Sequence, residues 1–207
     1  MGILVFSDMS SNPFQQKKSS LIHVLNVTLE ELYHGVTKEF SIDHLTASTK
    51  MKSTKYVINI KKGTKDGDNI VVKEGGNYIP ELDIVEDLII QVKEISHKKY
   101  QRKKHDLYTE QEISLLDSLC GCTFVLEHFD TKVNIEIQDI IQPNTMYKVF
   151  GKGMPIKNEQ TKSLTNDNEK EGHEFGDLII DLKIIYPDFL SDEQKMYLQK
   201  IFSTVED

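Results

Sequence analysis

Short runs in which apolar and polar residues alternate dominate the chain, and they predict a mostly β protein. A period of two places successive side chains on opposite faces of a strand, so each run offers one face to a core and the other to solvent. Proline is absent from the interiors of these runs, as pairing within a sheet requires. The predicted strands of the first half are residues 21–27, 36–42, 56–60, 70–73 and 87–92.

Two short helices are predicted to begin and end in the same way. Thr28 and Ser114 each stand three residues before an acidic residue, which is the capping-box pattern of a helix N-terminus. Gly35 and Gly121 follow seven residues after these caps and end the helices, as glycine commonly does. The two copies are 86 residues apart, and similar strand patterns follow each of them. This repetition predicts two related β-rich subdomains in tandem.

A third capping box opens a predicted C-terminal helix after Pro187. Ser191 is the cap, and Gln194 is the reciprocating residue three positions later. Apolar residues then recur at helical spacing and cover more than one side of the helix. We therefore expect the helix either to pack on its own domain or to meet another chain. The apolar residues are Met196, Tyr197, Leu198, Ile201 and Phe202.

The composition narrows the class of protein. Of 207 residues, 33 are acidic and 25 are basic, and the net charge of −8 argues against a nucleic-acid partner. Only Cys120 and Cys122 carry thiols, which excludes a disulfide-rich secreted scaffold and a four-thiolate zinc site and favours a reducing compartment. No run approaches the roughly 18 apolar residues of a membrane span. We expect a soluble, cytoplasmic protein without a membrane partner.

No pattern of catalytic or metal-binding residues emerges. The seven histidines are spread over the chain without the spacing of a zinc protease helix, and neither a nucleophile elbow nor a phosphate-binding loop occurs. We predict no catalytic residue, no metal and no cofactor. Two alternatives stay open. A β-sandwich enzyme would need His97, His105 and Asp106 in one cleft, and a carbohydrate- or peptide-binding module would present exposed aromatic residues on one flat face.

Two features are compatible with a binding role. Leu25, Phe40 and Ile42 alternate so that they share one face, and Tyr100 can cover its end. Spacing alone fits plain core packing, and the alternative is a shallow groove that accepts an extended peptide as an added strand. The five basic residues between positions 98 and 104 form either a solvated face or a docking point for an acidic peptide.

Several motifs together resemble the client-binding region of J-domain co-chaperones, the DnaJ class. Residues 25–42 (LNVTLEELYHGVTKEFSI) are similar to the opening of that region, and the similarity runs to about Phe202. The other matching motifs are Ser96-His97 with Tyr100 and Arg102, similar to the family's Ser-His-Pro-x-Phe-x-Arg junction; His105-Asp106-Leu107, similar to its Asp-Asp-Leu; Gly151 to Pro155, a Gly-x-Gly-Met-Pro motif; and Gly176-Asp177-Leu178 followed by Tyr186-Pro187.

The resemblance implies a fold and its division into parts. Family members have two tandem β-sandwich-like subdomains, each with a short helix, and a C-terminal helix for dimerisation. On this chain the family pattern implies a flexible tail at 1–20, a client-binding subdomain at 21–98, a second subdomain at 99–188 and the dimerisation helix at 189–207. The polar stretch 157–175 is predicted to be a long surface loop.

The resemblance also implies which residues carry function. The hydrophobic client depression of the first subdomain is expected to be lined by His23, Leu25, Phe40, Ile42 and Tyr100. Lys38 and Lys55 are expected to hold the acidic C-terminal tail of a DnaK-type heat-shock chaperone. The homodimer contact is expected at Tyr197, Leu198, Ile201 and Phe202.

Departures from the family pattern refine this expectation. Neither a His-Pro-Asp tripeptide nor a Cys-x-x-Cys-x-Gly-x-Gly repeat occurs, so the sequence contains no J-domain and the zinc-containing subclass is excluded. Lys98 replaces the junction proline, and His23 stands where the family usually has an aliphatic residue. The expected function is that of a zinc-free (type II) co-chaperone fragment. Such a fragment binds exposed hydrophobic segments of unfolded polypeptides and delivers them to the DnaK-type partner.

Overall fold

A computed structural model describes residues 20–156 and 175–203 of the chain. These residues form two compact units. The first unit contains residues 20–26, 37–58 and 66–93, and the second contains residues 27–36, 59–65, 94–156 and 175–203. The tail predicted at 1–20 and the surface loop predicted at 157–175 lie outside the described residues, except for Ser20, which begins the first strand, and Phe175, which forms a β-bridge with Pro155.

The described residues contain thirteen strands and three helices, which confirms the mostly β fold class. The elements of the first half are β1 (Ser20–Val27), α1 (Leu29–His34), β2 (Val36–Leu45), β3 (Met51–Ile60), β4 (Asn69–Val72), β5 (Tyr78–Ile79), β6 (Ile84–Val85) and β7 (Asp87–Glu94). The elements of the second half are β8 (Gln101–Lys103), β9 (Asp106–Ser114), α2 (Leu115–Cys120), β10 (Cys122–His128), β11 (Thr131–Ile137), β12 (Met146–Val149), β13 (Leu178–Ile185) and α3 (Asp192–Ser203).

The strands form several small sheets. One three-stranded sheet has the order β1-β7-β4, and β2 pairs with β3 in a separate ribbon. A four-stranded sheet has the order β12-β13-β9-β8, in which β9 and β13 are parallel. The long connection between these two strands permits the parallel pairing, which a tight hairpin cannot provide. β10 and β11 form an antiparallel pair, as do the short strands β5 and β6.

Apolar side chains from alternate strand positions form the two cores, joined in the second unit by residues of α1 and by Met154. In the first unit the buried side chains are Leu25, Ile42, Ile58, Leu88, Ile90 and Val92. In the second unit the largest fully buried side chains include Leu29, Leu32, Ile60, Leu107, Ile135, Met154, Leu178, Ile180 and Leu182. On β7 the pattern is regular: positions 88, 90 and 92 are buried while 91 and 93 are exposed, as a strand with one covered face requires.

The capping boxes predicted from sequence are all present. The Thr28 hydroxyl accepts from the Glu31 N–H, the Glu31 carboxylate accepts from the Thr28 N–H, and Ser114 repeats this arrangement at α2. At α3, Ser191 and Gln194 exchange the same two hydrogen bonds. The predicted helix starts are therefore confirmed, and each satisfies N–H groups that the first helical turn leaves without partners.

Gly35 and Gly121 end α1 and α2 in equivalent conformations. Their φ angles are 80° and 85°, in the left-handed region where a side chain is strained. A Cβ atom on Gly35 would lie 3.2 Å from the Ile60 carbonyl oxygen, and one on Gly121 would lie 2.5 Å from the Ile137 carbonyl oxygen. Both glycines therefore meet a residue from the end of a strand. This shared geometry supports an internal duplication.

A second pair of glycines lets three backbone segments approach closely in the second unit. A Cβ atom on Gly176 would lie 2.1 Å from the His105 carbonyl oxygen, and one on Gly153 would lie 2.5 Å from the same oxygen. The Met154 N–H donates to this carbonyl at 2.7 Å, and the Gly153 N–H donates to the Gly176 carbonyl at 2.7 Å. We call Gly153, Gly176 and the His105 carbonyl the glycine lock.

Some elements differ from the sequence-based prediction. β3 begins at Met51, whereas the pattern predicted a strand only from residue 56. The prediction was wrong there because residues 52–55 (KSTK) are polar on both faces and carry no alternation. No strand was predicted over residues 106–114, where β9 lies. The free state of Cys120 and Cys122, by contrast, is as expected.

Candidate functional site

The two strands expected to line the client depression bring four of its predicted residues together in the first unit. His23 and Leu25 lie on one face of β1, and Phe40 and Ile42 lie on one face of β2. Leu25 and Ile42 are each 8% exposed, while His23 and Phe40 are half-buried. We call these four residues the β1–β2 face. Its aliphatic members belong to the core, and its two rings supply the accessible surface.

The rings of the β1–β2 face continue into a third ring that sequence reasoning missed. The His23 and Phe40 rings are stacked, with centroids 4.8 Å apart and an interplanar angle of 9°. Phe40 in turn stacks on Tyr56 of β3 with centroids 6.2 Å apart. The Tyr56 hydroxyl donates to the Gly75 carbonyl at 2.7 Å, which fixes this end of the row. We call His23, Phe40 and Tyr56 the ring stack.

The strands that carry this face lie at sheet edges. In the order β1-β7-β4, β1 has a sheet neighbour on one side only, and β2 has β3 as its single neighbour among the described strands. An edge strand presents backbone N–H and C=O groups to which another extended segment can pair. Apolar surface and backbone pairing capacity therefore occur on the same two strands.

The two predicted tail-binding lysines lie on opposite faces of the ribbon formed by β2 and β3. Lys38 alternates in phase with Phe40, and its ammonium donates to the Asn26 carbonyl at 3.1 Å. Lys55 is on the exposed face of β3, where it pairs with Glu39 at 2.5 Å. The side chains of Lys55 and Glu39 are 64% and 55% exposed, so solvent screens this pair strongly. Lys38 is thus the lysine that shares a face with the client-binding residues.

Tyr100, the fifth predicted client residue, is 5% exposed and belongs to the second unit. Its hydroxyl donates to the Glu127 carbonyl at 3.0 Å and lies 3.1 Å from His128 Nδ1. Its ring contacts those of His97, His128 and Phe129. Burial raises the pKa of Tyr100 to about 12. Burial, together with the nearby charges of Lys152 and Lys99, lowers the pKa of His128 to about 4, so both side chains are neutral near pH 7.

The predicted dimerisation helix leaves apolar surface open. None of the residues of α3 is buried, and Tyr197, Ile201 and Phe202 are each more than half exposed. A groove of about 740 Å³ lies beside this helix in the second unit. We call it the α2–α3 groove, and its walls include Leu115, Leu116 and Leu119 of α2, Ile185 of β13, and Tyr197 and Leu198 of α3.

The architecture and the motifs agree with a known family. The family model described as the DnaJ C terminal domain matches residues 21–187, which include both predicted subdomains almost completely. The chain belongs to the DnaJ C-terminal domain family. The resemblance stated from the motifs is thereby confirmed.

Curated DnaJ relatives cover most of the chain. The human DnaJ homolog subfamily B member 5 is 30% identical over 188 residues, which is 87% of this chain and 50% of the relative. The human DnaJ homolog subfamily B member 13 is 28% identical over 97% of this chain and 61% of the relative. Protein SIS1 of Saccharomyces cerevisiae is 27% identical over 95% of this chain and 53% of the relative. The chain thus spans about half the length of the curated relatives that it matches.

The junction motif of this DnaJ domain shapes a turn through His97. The Nδ1 atom accepts hydrogen bonds from the Lys99 and Tyr100 N–H groups at 3.2 and 2.9 Å. The Nε2 atom lies 3.0 Å from a carboxylate oxygen of Glu30. Burial alone would raise the pKa of Glu30. The carboxylate accepts hydrogen bonds from its own backbone, from Thr28 and from His97, and these bonds together with the charge of His97 lower the pKa overall. His97 therefore supports the fold through contacts of both ring nitrogens.

Arg102, the last residue of the junction motif, is also engaged inside the second unit. Its side chain is 6% exposed and pairs with Glu94 at 3.1 Å. It also donates to the Lys104 carbonyl at 2.8 Å and to the Thr64 carbonyl at 2.9 Å. The basic run 98–104 is therefore not one solvated face, because its arginine holds backbone carbonyls together.

The three residues named for the enzyme alternative all take part in contacts of the fold. His97 is engaged as described above, the His105 carbonyl belongs to the glycine lock, and Asp106 accepts the Asp177 N–H at 2.9 Å. Over residues 20–156 and 175–203, no group of three or more His, Cys, Asp or Glu side chains is arranged to hold a metal ion. None of the helices in the same ranges is long and apolar enough to cross a membrane.

Proposed function

We propose that the first unit binds exposed hydrophobic segments of unfolded polypeptides and that the protein delivers them to a DnaK-type heat-shock chaperone. Membership of the DnaJ C-terminal domain family supports the class of function. The observation that carries the site is the pair of half-buried rings, His23 and Phe40, on two strands at sheet edges. A client segment would pair with a strand edge and place an apolar side chain against these rings.

The energetics favour weak, exchangeable binding. Burying a Phe-sized side chain completely contributes roughly 1.5–3 kcal/mol, and ordering an unfolded segment offsets much of the total. With only a few anchors, dissociation constants in the micromolar range follow. Such contacts suit a protein that must pass its client onward, because fast release accompanies modest affinity.

The Phe40→Ala variant is expected to suppress client aggregation less well than the native protein. Phe40 is half-buried, so its truncation removes about 1 kcal/mol of client contact, which corresponds to roughly fivefold weaker binding. Light scattering of a heat-denatured client measures this, and adding Leu25→Ala should deepen the loss. Circular dichroism must show a folded variant, because Leu25 is 8% exposed and its truncation also weakens the core.

Val24→Ala is the matched control. Val24 lies next to Leu25 on β1. Its side chain is apolar and 50% exposed, but it is on the face of the strand opposite to Leu25. The Val24→Ala variant should suppress client aggregation as well as the native protein does. The decisive variants are Phe40→Ala and the double variant that carries Leu25→Ala as well. If both are folded and suppress client aggregation as well as the native protein does, the client site does not lie on the β1–β2 face.

The acidic tail of the DnaK-type chaperone is proposed to dock at Lys38 and Lys55. We expect a peptide with an acidic C-terminus to bind less tightly as salt is raised, because screening weakens exposed charge pairs. Lys38→Ala should weaken binding about fivefold, the upper end of the range for surface charge pairs, because Lys38 is less exposed than Lys55 and solvent screens it less. Lys55→Ala should weaken it about twofold, within the range of exposed pairs. Fluorescence anisotropy with the labelled peptide measures both.

Lys73→Ala controls for the loss of one positive charge. Lys73 is exposed in the first unit just after β4, and it is not one of the two lysines proposed to bind the acidic tail. It should leave the affinity within experimental error. Equal affinities for all three variants, or no salt dependence, would reject the tail-binding assignment.

We also propose that α3 forms a homodimer contact. Its open apolar residues and the adjacent α2–α3 groove offer surface that a second copy can cover. Deleting residues 190–207 is expected to give a monomer. Leu198→Asp should raise the dimer dissociation constant at least about 30-fold, as the loss of a central interface contact does. Gln199→Asp adds the same charge on the same helix and should leave the dimer intact. A persisting dimer in the deletion variant would place the interface elsewhere.

A further inference from the structure

We propose that the ring stack makes this chain prefer client segments anchored by a neutral aromatic side chain over segments anchored by an aliphatic one. The inference rests on the proposed client site and adds its selectivity. It assigns the discrimination to His23, at the position where the family usually has an aliphatic residue, and to Tyr56, which the family motifs do not mark.

The three rings are held in order by the contacts of Phe40 with one ring from β1 and one from β3. The Phe40 centroid lies 4.8 Å from that of His23, with nearly parallel planes, and 6.2 Å from that of Tyr56, with an interplanar angle of 28°. The position of the Tyr56 ring is restrained, because its hydroxyl donates a hydrogen bond to the Gly75 carbonyl. The row is therefore preorganised, and a bound side chain does not have to order it.

His23 is the end of this row. Phe40 is its one ring neighbour among the described residues. An imidazole offers a planar π surface, and its edge carries nitrogen atoms that can donate or accept a hydrogen bond. An aliphatic residue at this position offers area without a plane. A planar client side chain therefore gains a stacking contact here that an aliphatic side chain of similar area cannot make.

The charge beside the rings favours a neutral anchor. Lys38 lies on the same face of β2 as Phe40, two residues earlier in the chain. Its ammonium would repel an arginine or lysine that approached the rings, although such cations otherwise stack well on aromatic faces. Phenylalanine and tyrosine anchors meet no such repulsion. The ring stack and Lys38 together select aromatic, uncharged anchors.

The test compares two extended peptides that differ only in one central anchor, phenylalanine or leucine. Fluorescence anisotropy with the full chain should show the Phe peptide binding about threefold to tenfold tighter, the range of one aromatic pair. His23→Leu should remove most of this preference by weakening the Phe peptide. His23→Phe keeps a ring and should keep the preference. Ile22→Leu, an exposed site on the opposite face of β1, should change nothing.

Two outcomes would overturn the inference while leaving the proposed function intact. One is equal affinity of the native protein for both peptides. The other is an equal weakening of both peptides by His23→Leu, which would show a merely structural role for His23. If the native protein binds neither peptide, the proposed client site fails and the inference fails with it.

Discussion

Gly176→Ala is expected to unfold the second unit or to lower its melting temperature by at least about 10 °C. The added Cβ atom would lie 2.1 Å from the His105 carbonyl oxygen, closer than any real contact, and backbone cannot yield as a flexible side chain can. The Gly176 N–H donates to the Met154 carbonyl at 2.9 Å, so a shift of Gly176 also breaks this bond. A loss above about 4 kcal/mol follows, against a typical domain stability of roughly 5–15 kcal/mol.

Gly151→Ala tests whether the close approach, and not glycine as such, is responsible. Gly151 has φ 65°, and a Cβ atom there meets nothing within 4 Å. Its replacement should lower stability by only about 1–2 kcal/mol through backbone strain. Thermal denaturation followed by circular dichroism compares the two variants. Similar melting temperatures for both would contradict the glycine lock.

Arg102→Met is expected to lower the free energy of unfolding by about 3–5 kcal/mol, the usual effect of breaking a buried ion pair from one side. The Glu94 carboxylate, 18% exposed, would lose its cation, and the carbonyls of Thr64 and Lys104 would lose their donors. Arg102→Lys should recover little, because an ammonium cannot reach several acceptors in the planar geometry of guanidinium.

A second substitution separates the ion pair from the rest of this network. Adding Glu94→Gln to Arg102→Met removes the carboxylate charge that Arg102 faced and should restore about 1–2 kcal/mol. Lys103→Met is the matched control. Lys103 is the exposed neighbour of Arg102 and lies 4.2 Å from the Tyr108 ring, so its loss should be at most about 1 kcal/mol. Urea denaturation that gives equal losses for Arg102→Met and Lys103→Met would contradict the structural role of Arg102.

Features set by short-range chemistry were predictable from the sequence. The Thr28 and Ser114 capping boxes and the glycine stops of both helices are present where their spacing placed them. The alternation of β1 and β2 also placed Leu25 and Ile42 in the core and Phe40 on the same face. Each of these features depends on residues only a few positions apart, which a pattern can show directly.

Features that depend on contacts between distant residues could not be read in the same way. Tyr56 joins the ring stack through the pairing of β2 and β3, and the sequence showed no register because the start of β3 carried no alternation. Arg102 looked like one charge in a basic run, since its partner Glu94 is not part of any motif. The different faces of Lys38 and Lys55 were hidden for the same reason: the phase of β3 was unknown.

Direct titration of a permanently unfolded, fluorescently labelled client tests the proposed client site most directly. The native protein is expected to bind with a saturable, micromolar dissociation constant. Phe40→Ala should weaken binding roughly fivefold, and Val24→Ala should leave it unchanged. Absence of binding, or equal affinities of the native protein and the folded Phe40→Ala variant, would contradict a client site on the β1–β2 face.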